Sequence, residues 1–382
     1  MDFGYSTSQQ DLRDTLEGFV RDKVNTRLQY PANPARFDRD LWRECAHAGL
    51  LSLGMPEPWS LAGDDTLLTM VIALEAVGYA CDDNGLPFAL ATQACTVQQT
   101  LVQHGTEQHR AQYLPGSVRG ELIGSHAMTE PQAGSDSGNI SLHARKADDG
   151  YYLSGEKKMI GLAPVADYCV LFASVNPAAG RWGVTAFLID TDSAGFEVSA
   201  PVEKMGLVSA PMGHLVLNEC FVREENRIGP EGAGAAIANH SLELERICIL
   251  ASQVGRMQHQ LELSVAHAKS RKQFGQPVIG FQAVSHRLAD MKLRLETARL
   301  LLYRTAWKVD QGESCVLESS MLKLHISESF LASSMDSMRV HGGYSYIEGH
   351  ETGRDTCDAL GGILYAGTSD IQRNIIAGLL DL

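Results

Sequence analysis

The sequence predicts an α+β protein of three domains, in the order helices, strands, helices. Apolar residues recur with helical spacing from residue 7 to about 118, short β-rich runs follow from about 121, and long helical patterns occupy residues 239–382. The predicted domains are an N-terminal α-helical domain at 1–120, a middle β domain at 121–232 and a C-terminal α-helical domain at 233–382. Because no internal repeat or Pro-rich linker separates them, we expect the domains to pack closely.

Helical periodicity runs throughout the first domain. It begins with Leu12, Leu16 and Phe19, continues through the apolar run LLTMVIALEAVGYA, and reaches Gly105, a suitable residue for a helix C-terminus. The middle domain instead contains the runs YYLSG, DYCVLFASV, GVTAFLID, GFEVSAPV and GHLVLNECFV. Their spacing predicts an antiparallel sheet or a small barrel.

The third domain combines long helical patterns, such as MKLRLETARLLLYRTAWKVDQG, with an unusual turn in LYAGTSDIQR at residues 364–373. Ser369 and Gln372 have capping-box spacing, which predicts a helix start whose free N–H groups suit an anionic or polar ligand. The small residues Ala366 and Gly367 allow the backbone to approach such a ligand closely.

Composition and charge exclude several partners. The formal net charge of −14 argues against nucleic acid or an anionic membrane as a partner. The eight cysteines lack the spacing of disulfide or metal motifs, so we expect reduced core thiols. The start of the chain does not resemble a signal peptide, and no apolar run of about 18 residues occurs, which favours a cytoplasmic protein.

Common catalytic motifs are missing as well. The sequence contains no GxGxxG, Walker A, HExxH or GxSxG pattern. Its 13 histidines form no ligand-spaced set with cysteines or carboxylates, so no metal site is expected.

Four polar stretches remain, each of which also has a plain structural interpretation as a turn, a loop or a helix end. They are AMTEPQAGSDSGN at 127–139, SLELERICILA at 241–251, SRKQFGQPVIGFQ at 270–282 and RVHGGYSY at 339–346.

Glu245 is the strongest candidate for acid–base chemistry in these stretches. Ser241 is expected to cap a helix that carries Glu243 and Glu245 in its first turn, where acids usually just complement the helix dipole. However, Glu245 shares a helical stripe with Cys248 and Ile249, so its carboxylate is expected to face an apolar interior. Desolvation would raise its pKa and make it a better base.

Taken together and in this order, AMTEPQAGSD, RKQFGQPVIGFQ, HGG and GTSDIQRNIIA make the sequence resemble the acyl-CoA dehydrogenase family over essentially its whole length. The resemblance implies an acyl-CoA dehydrogenase-like fold whose C-terminal domain is a four-helix bundle. It also implies FAD as the cofactor, an acyl thioester as the substrate, a homotetramer, and oxygen or an electron-transfer flavoprotein as the electron acceptor.

The resemblance also implies roles for individual residues. Met128 and Thr129 would contact the flavin ring, and Ser135 would lie by the pyrophosphate or the substrate arm. The backbone N–H of Gly161 would remain near the flavin, because Met159-Ile160-Gly161-Leu162 replaces the Trp-Ile-Thr-Asn common in the family. The ADP half of a neighbouring subunit's FAD would be held by Arg271, Gln273, Phe274, Gln282, Arg339, Gly342, Gly343, Thr368 and Asp370.

The resemblance explains why the turn at Ala366 carries no acid. Most family members place a catalytic glutamate at that position. A minority, of isovaleryl-CoA and long-chain dehydrogenase type, carry it immediately before an arginine, here Glu245 before Arg246. Glu245 is thus the implied base, and the N–H of Ala366 is the implied donor to the thioester oxygen. Arg246, Tyr365 and Gly367, with Ser135, would line the substrate.

Within the family, RIGPEGAGAAI, the MKLRLETARLLLYRTAWKVDQG helix and MLKLHISES are similar to the L-prolyl carrier-protein dehydrogenases of pyrrole and pyrroline biosynthesis. This implies oxidation of proline tethered through phosphopantetheine to a pyrroline or pyrrole-2-carboxyl thioester. Two alternatives stay open: a short or branched-chain acyl-CoA dehydrogenase of isovaleryl-CoA type, and a non-enzymatic flavin-binding scaffold protein.

Overall fold

The computed structural model describes residues 4–28, 37–60 and 66–380 of the chain. In these ranges the N-terminal domain is helical, with two π-helical segments at Val20–Val24 and Thr92–Gln98. Its helices are α1 (Thr7–Phe19), α2 (Arg39–His47), α3 (Leu67–Ala80), α4 (Gly85–Ala91), α5 (Gln99–His104) and α6 (Glu107–Val118). The uniformly apolar helix α3 is buried on nearly every face, as expected for a helix without a polar side.

The middle domain is an eight-stranded sheet in the order β6-β7-β3-β2-β4-β5-β8, with β1 paired to β4. Its strands are β1 (Gly124–Ala127), β2 (His143–Ala147), β3 (Gly150–Gly161), β4 (Tyr168–Ser174), β5 (Val184–Asp190), β6 (Phe196–Val198), β7 (Met212–Arg223) and β8 (Arg227–Ile228).

Most neighbouring strands are antiparallel, which confirms the main prediction for this domain. The exceptions are β1 and β2, which both run parallel to β4. Parallel pairing needs a long crossover, and the chain between β1 and β4 supplies one. The sequence did not reveal these pairings because β1 is very short and β2 is largely polar, so neither has a clear strand pattern.

The C-terminal domain consists of long helices and a small hairpin. Its elements are α7 (Gly234–Ser270), β9 (Lys272–Gln273), β10 (Gln276–Pro277), α8 (Gln282–Asp310), α9 (Val316–His341), α10 (Glu351–Gly362) and α11 (Ser369–Leu379). Helices α7, α8 and α9 pack on one another, and α10 and α11 pack on α9. This arrangement is the predicted helical bundle.

The structure corrects two predicted helix starts. Helix α7 begins at Gly234, so Ser241 lies inside it and donates a hydrogen bond to the Ala238 carbonyl (2.9 Å) instead of capping it. The preceding Gly- and Ala-rich segment forms the first turns of the helix, because alanine is the best helix former. Helix α11 is capped by Thr368, whose hydroxyl accepts from the Ile371 N–H (3.2 Å), one residue before the predicted Ser369.

Two glycines bring α3 and α7 into backbone contact. A Cβ at Gly78 would lie 2.1 Å from the Ser252 carbonyl oxygen, and a Cβ at Gly255 would lie 2.0 Å from the Glu75 carbonyl oxygen. Each helix therefore inserts a glycine against the backbone of the other. This contact fixes the helix that carries Glu245 tightly against the N-terminal domain.

All eight cysteines are free thiols, and seven of them are buried, as the sequence predicted. None of the helices in the described ranges is long and apolar enough to cross a membrane.

Candidate active site

Glu245 and Arg246 of α7 meet the turn at residues 365–367. The Arg246 Nε donates a hydrogen bond to the Ala366 carbonyl oxygen (3.1 Å), although the two residues are 120 positions apart. Ala366 and Gly367 both have positive φ angles, 52° and 83°. The structure therefore brings together four residues that the sequence assigned to one site: Glu245, Arg246, Ala366 and Gly367.

The surroundings of Glu245 suit a general base. Burial raises the pKa of the Glu245 carboxyl to about 7, even though Arg246 and the Thr96 hydroxyl both favour its charged form. Such a carboxyl is readily ionised near neutral pH and is more basic than a solvated glutamate. The raised pKa expected from the helical stripe is thus found, although Glu245 lies in the interior of α7 and not in its first turn.

Tyr365 lies close to Glu245 in the candidate site. Its ring packs on Phe88 with centroids 4.9 Å apart, and its hydroxyl accepts a hydrogen bond from the Gln253 amide. Burial and the nearby carboxylates of Asp358 and Glu245 raise the pKa of Tyr365, so the phenol stays protonated. Tyr365 therefore supplies an aromatic surface and not an acid or a base.

On the β domain, Met128 and Thr129 follow β1 and are tied to β3. The Lys157 ammonium donates to the Met128 carbonyl oxygen and the Lys158 N–H donates to that of Thr129, both at 2.9 Å. Gly161 lies at the end of β3, where an added Cβ would meet no atom within 4 Å. Ser135 is exposed in the loop that follows Thr129.

Met159 marks an irregular end of β3. It has a φ of 57°, its side chain is 58% exposed, and the strand register shifts between Lys157 and Ile160. The shift turns the Met159 side chain outwards beside Gly161.

Most of the residues assigned to the ADP half of FAD lie at the other end of the bundle, and the exceptions are Thr368 and Asp370. Arg271 ends α7, Gln273 and Phe274 belong to the β9–β10 hairpin, and Phe274 is 94% exposed with a φ of 51°. Gln282 is the first residue of α8.

The Gly342-Gly343 turn lies near this hairpin. It ends α9, and the ring of His341 packs 4.4 Å from that of His267, one turn before Arg271. Arg339 is one turn earlier and pairs with Asp336 (3.0 Å). The ends of α7 and α9 thus place Arg271 and the glycine turn at one end of the bundle.

Thr368 and Asp370 lie at the start of α11, directly after the Ala366 turn. The Thr368 hydroxyl caps the helix, while Asp370 pairs with Arg373 (2.9 Å). Among the described residues, no hydrogen bond or ring contact joins the hairpin to the Ala366 turn. The predicted site residues of the helical bundle therefore form two groups within one chain, apart from those on the β domain.

Three residues of the site were not found by sequence reasoning. Thr96 lies in a π-helical segment, a feature that is common at functional sites but has no sequence signature here. Gln253 contacts Tyr365, and Gln372 donates to the carbonyl oxygens of Ala366 (3.2 Å) and Gly367 (3.1 Å). The sequence indicates Gln372 only through its capping-box spacing from Ser369.

Three family models match consecutive parts of the chain: the acyl-CoA dehydrogenase N-terminal domain at residues 6–121, the middle domain at 125–220 and the C-terminal domain at 232–380. The chain belongs to the acyl-CoA dehydrogenase family. The predicted family, its fold and the class of enzyme, an acyl-CoA dehydrogenase-type oxidoreductase, are thereby confirmed.

Known members of the acyl-CoA dehydrogenase family resemble the chain over its full length. An L-prolyl-[peptidyl-carrier protein] dehydrogenase of Pseudomonas fluorescens is 40% identical and covers 100% of both chains. The crystal structure of the prolyl acyl carrier protein oxidase AnaB is 39% identical with a TM-score of 0.96, covering 99% of this chain and 100% of that one. A structure of PigA with FAD and proline is 36% identical with a TM-score of 0.96 and covers 100% of both chains.

Proposed function

We propose that the protein is an FAD-dependent dehydrogenase of an L-prolyl thioester carried by a phosphopantetheinyl carrier protein, and that its product is a pyrroline or pyrrole-2-carboxyl thioester. The observation that carries this proposal is the juxtaposition of Glu245, with a pKa near 7, and the Ala366 turn. The names of the L-prolyl carrier-protein dehydrogenase and of AnaB support the choice of substrate.

The residues present fit FAD. Gly161, Gly342 and Gly343 face open space in which an added Cβ would meet no atom within 4 Å, so a ligand can approach the backbone there. The exposed Arg271 supplies a cation suited to phosphate, and Phe274 supplies an exposed aromatic surface. The full set proposed to hold FAD is Met128, Thr129, Ser135, Gly161, Arg271, Gln273, Phe274, Gln282, Arg339, Gly342, Gly343, Thr368 and Asp370.

When bound, FAD supplies the hydride acceptor for the dehydrogenation. The protein's own task is to remove the substrate Cα proton, which we assign to the Glu245 carboxylate. That proton becomes acidic enough only if the charge developing on the thioester oxygen is stabilised. In the described part of the chain the Ala366 N–H has no hydrogen-bond acceptor, so it is free to donate to this oxygen. Arg246, Ser135, Tyr365 and Gly367 are proposed to line the substrate.

An anaerobic titration of the FAD-loaded protein tests this function. L-prolyl carrier protein is expected to bleach the flavin absorption, whereas carrier protein without proline is not. Bleaching by isovaleryl-CoA but not by the prolyl substrate would contradict the proposal and favour a branched-chain acyl-CoA dehydrogenase. Bleaching by neither would favour a flavin-binding scaffold. Reoxidation by oxygen or by an electron-transfer flavoprotein then identifies the electron acceptor.

We further propose that the protein is a homotetramer. Helix α8 exposes Leu293, Leu300 and Trp307, which recur at intervals of seven residues and so lie along one face. These side chains are each at least half exposed, and such an apolar stripe is typical of an association surface. Sedimentation of the FAD-loaded protein is expected to give a tetramer. A monomer that retains FAD would contradict this, because the ADP half is assigned to a neighbouring subunit.

A further inference from the structure

Gln372 holds the turn that carries the proposed oxyanion donor. It lies in the first turn of α11 and is completely buried. Its Nε2 donates to two successive carbonyl oxygens, that of Ala366 at 3.2 Å and that of Gly367 at 3.1 Å. A side-chain amide has two N–H donors on one nitrogen, so it can bind both oxygens at once.

The turn requires such a support because its backbone is unusual. Ala366 has a φ of 52°, in the left-handed region, which is unfavourable for a residue with a Cβ. Gly367 follows with a φ of 83°. A Cβ at Gly367 would lie 2.7 Å from the Gln372 Nε2, so only glycine lets the amide approach this closely.

The orientation of the Gln372 amide is fixed by its surroundings. Its Oε1 is buried and accepts no hydrogen bond from the described residues. A flipped amide would place that oxygen against the two carbonyl oxygens and leave both N–H groups without these acceptors, which is less favourable still. Gln372 therefore acts as a donor, and its Oε1 is left without a hydrogen-bond partner among the described residues.

Arg246 also holds this turn. Its Nε donates to the Ala366 carbonyl oxygen at 3.1 Å, and it follows Glu245 directly in α7. The peptide groups of the turn are thus fixed between α7, which carries the base, and α11. A fixed turn keeps the Ala366 N–H pointing in one direction, and a preorganised donor is worth more than a mobile one.

We propose that Gln372 is a positioning residue that orients the Ala366 N–H toward the thioester oxygen of the substrate. This inference rests on the proposed function, because it assigns a purpose to the turn in that reaction. Gln372 touches neither substrate nor cofactor in this assignment and acts only through the backbone of Ala366 and Gly367.

Two substitutions separate hydrogen-bond donation from packing. Gln372→Met keeps the volume but removes both N–H donors, and Gln372→Glu keeps the shape but presents oxygens to the two carbonyls. Asn374→Met, at an exposed position of the same helix, is the matched control. The first readout is hydrogen–deuterium exchange of residues 363–370 in the FAD-loaded protein without substrate, which does not depend on catalysis.

We expect faster exchange in both Gln372 variants and an unchanged rate in Asn374→Met. With the prolyl substrate, the rate of flavin reduction should fall at least about tenfold in Gln372→Met and at least as far in Gln372→Glu, while KM changes little. The infrared band of an isotope-labelled thioester carbonyl should also show weaker polarisation in both variants.

Wild-type exchange in Gln372→Met, or a reduction rate within about twofold of the wild type, would overturn the assignment. If the wild-type flavin is not reduced by any thioester, the proposed function fails, and the exchange experiment still decides whether Gln372 holds the turn.

Discussion

At the scale of single residues, the site depends on how one carboxyl is desolvated. Glu245 has a pKa of about 7 because burial outweighs the favourable effects of Arg246 and Thr96 on its charged form. Glu243, two residues earlier, also has a raised pKa, with burial as the main cause and His240 and Arg246 opposing it. The two acids share a helix, and of the two it is Glu245 that contributes to the raised pKa of the nearby Tyr365.

We expect Glu245→Gln to slow flavin reduction by about 10²- to 10⁴-fold, since the amide preserves size but cannot accept the Cα proton. FAD and substrate should still bind. Rapid-mixing absorption measures the rate, and Glu243→Gln is the matched control on the same helix. Near-wild-type reduction in Glu245→Gln with the prolyl substrate would show that Glu245 is not the base.

The pH dependence of the reaction follows from the same carboxyl. The base must be ionised to act, so the second-order rate constant for flavin reduction should rise as pH increases through about 7 and then level off. Stopped-flow measurements across this range test the expectation. A rising limb near the ordinary glutamate pKa of about 4.3 would mean that the carboxyl is solvated in the free enzyme.

At the scale of elements, the β9–β10 hairpin presents Arg271 and Phe274 far from the residues that hold Glu245. The hairpin is short, and Phe274 and Gly275 at its tip have positive φ angles of 51° and 81°. Since Phe274 is almost fully exposed, the hairpin has a side chain suited to contact something outside the described chain. A neighbouring subunit's FAD is the partner proposed above.

Arg271→Ala is expected to weaken FAD binding by about 1.5 to 3 kcal/mol through loss of a charge-assisted hydrogen bond to phosphate. Equilibrium dialysis at low added FAD measures the effect. Lys272→Ala, on the next residue of the hairpin, removes an equal charge and should change the affinity less. Full flavin occupancy of the Arg271 variant under these conditions would count against the assignment.

Strand β3 is joined to the loop after β1 by a buried ion pair. The Lys157 Nζ lies 2.9 Å from Glu130 Oε1, and both side chains are fully buried. Burial lowers the pKa of Lys157 to about 8, although Glu130 favours the charged form of Lys157. Although burial opposes it, Lys157 and Ser141 hold the pKa of Glu130 below its ordinary value. The pair therefore stays charged and fixes Met128, whose carbonyl also binds Lys157.

Lys157→Met should destabilise the protein by about 3 to 5 kcal/mol, because it leaves Glu130 as a buried charge without its partner. The control is Arg145→Met, which breaks an exposed pair with Glu219 and should cost about 1 kcal/mol or less. Chemical denaturation compares the two variants. Equal losses would mean that the buried pair contributes no more than the surface one.

At the scale of the whole molecule, one hydrogen-bonded cluster joins all three domains. Asp83 and Asn84 precede α4, Leu207 and Ser209 precede β7, and Asp358 lies in α10. The Asp358 carboxyl accepts from the Asn84 amide (3.0 Å) and the Leu207 N–H (2.6 Å), while Asp83 accepts from the Ser209 hydroxyl. Each domain thus contributes a group to the same set of hydrogen bonds.

This cluster has an electrostatic cost. Burial, Asp83 and Asp355 raise the pKa of Asp358 to about 7, despite its hydrogen bonds with Leu207 and Asn84. Burial lowers the pKa of Lys204, although the nearby carboxyl groups of Asp83 and Asp358 favour its charged form. The folded protein binds the Asp358 proton more tightly than the unfolded chain does. The resulting contribution to the free energy of unfolding is therefore fully present below about pH 4 and is lost as pH rises through about 7.

Asp358→Asn mimics the protonated acid, so we expect it to gain thermal stability relative to the wild type as pH rises from about 4 to above 7. Thermal unfolding at a series of pH values gives this difference in Tm. Asp40→Asn, at an exposed carboxyl, is the control and should show no such trend. A difference in Tm that stays constant across the range would contradict a raised pKa at Asp358.

Much of the fold and part of the site could be predicted from local sequence. Helical and strand periodicities depend only on residues close in the sequence. They therefore predicted the three domains and the antiparallel character of most of the sheet. The stripe shared by Glu245, Cys248 and Ile249 likewise indicated a desolvated acid, because neighbours at helical spacing face the same surroundings. The family motifs added FAD and the reason why Ala366 carries no acid.

The tertiary structure decided what depends on distant contacts. Helix α7 starts seven residues before Ser241, the predicted cap, because its Ala-rich first turns can continue against β5, where Gly234 meets the Thr185 backbone. Arg246 meets the Ala366 turn, and Asp358 meets Asp83, only after distant parts of the chain have packed. Period and propensity are properties of adjacent residues, whereas a hydrogen bond or a pKa depends on groups that the chain brings together from hundreds of positions apart.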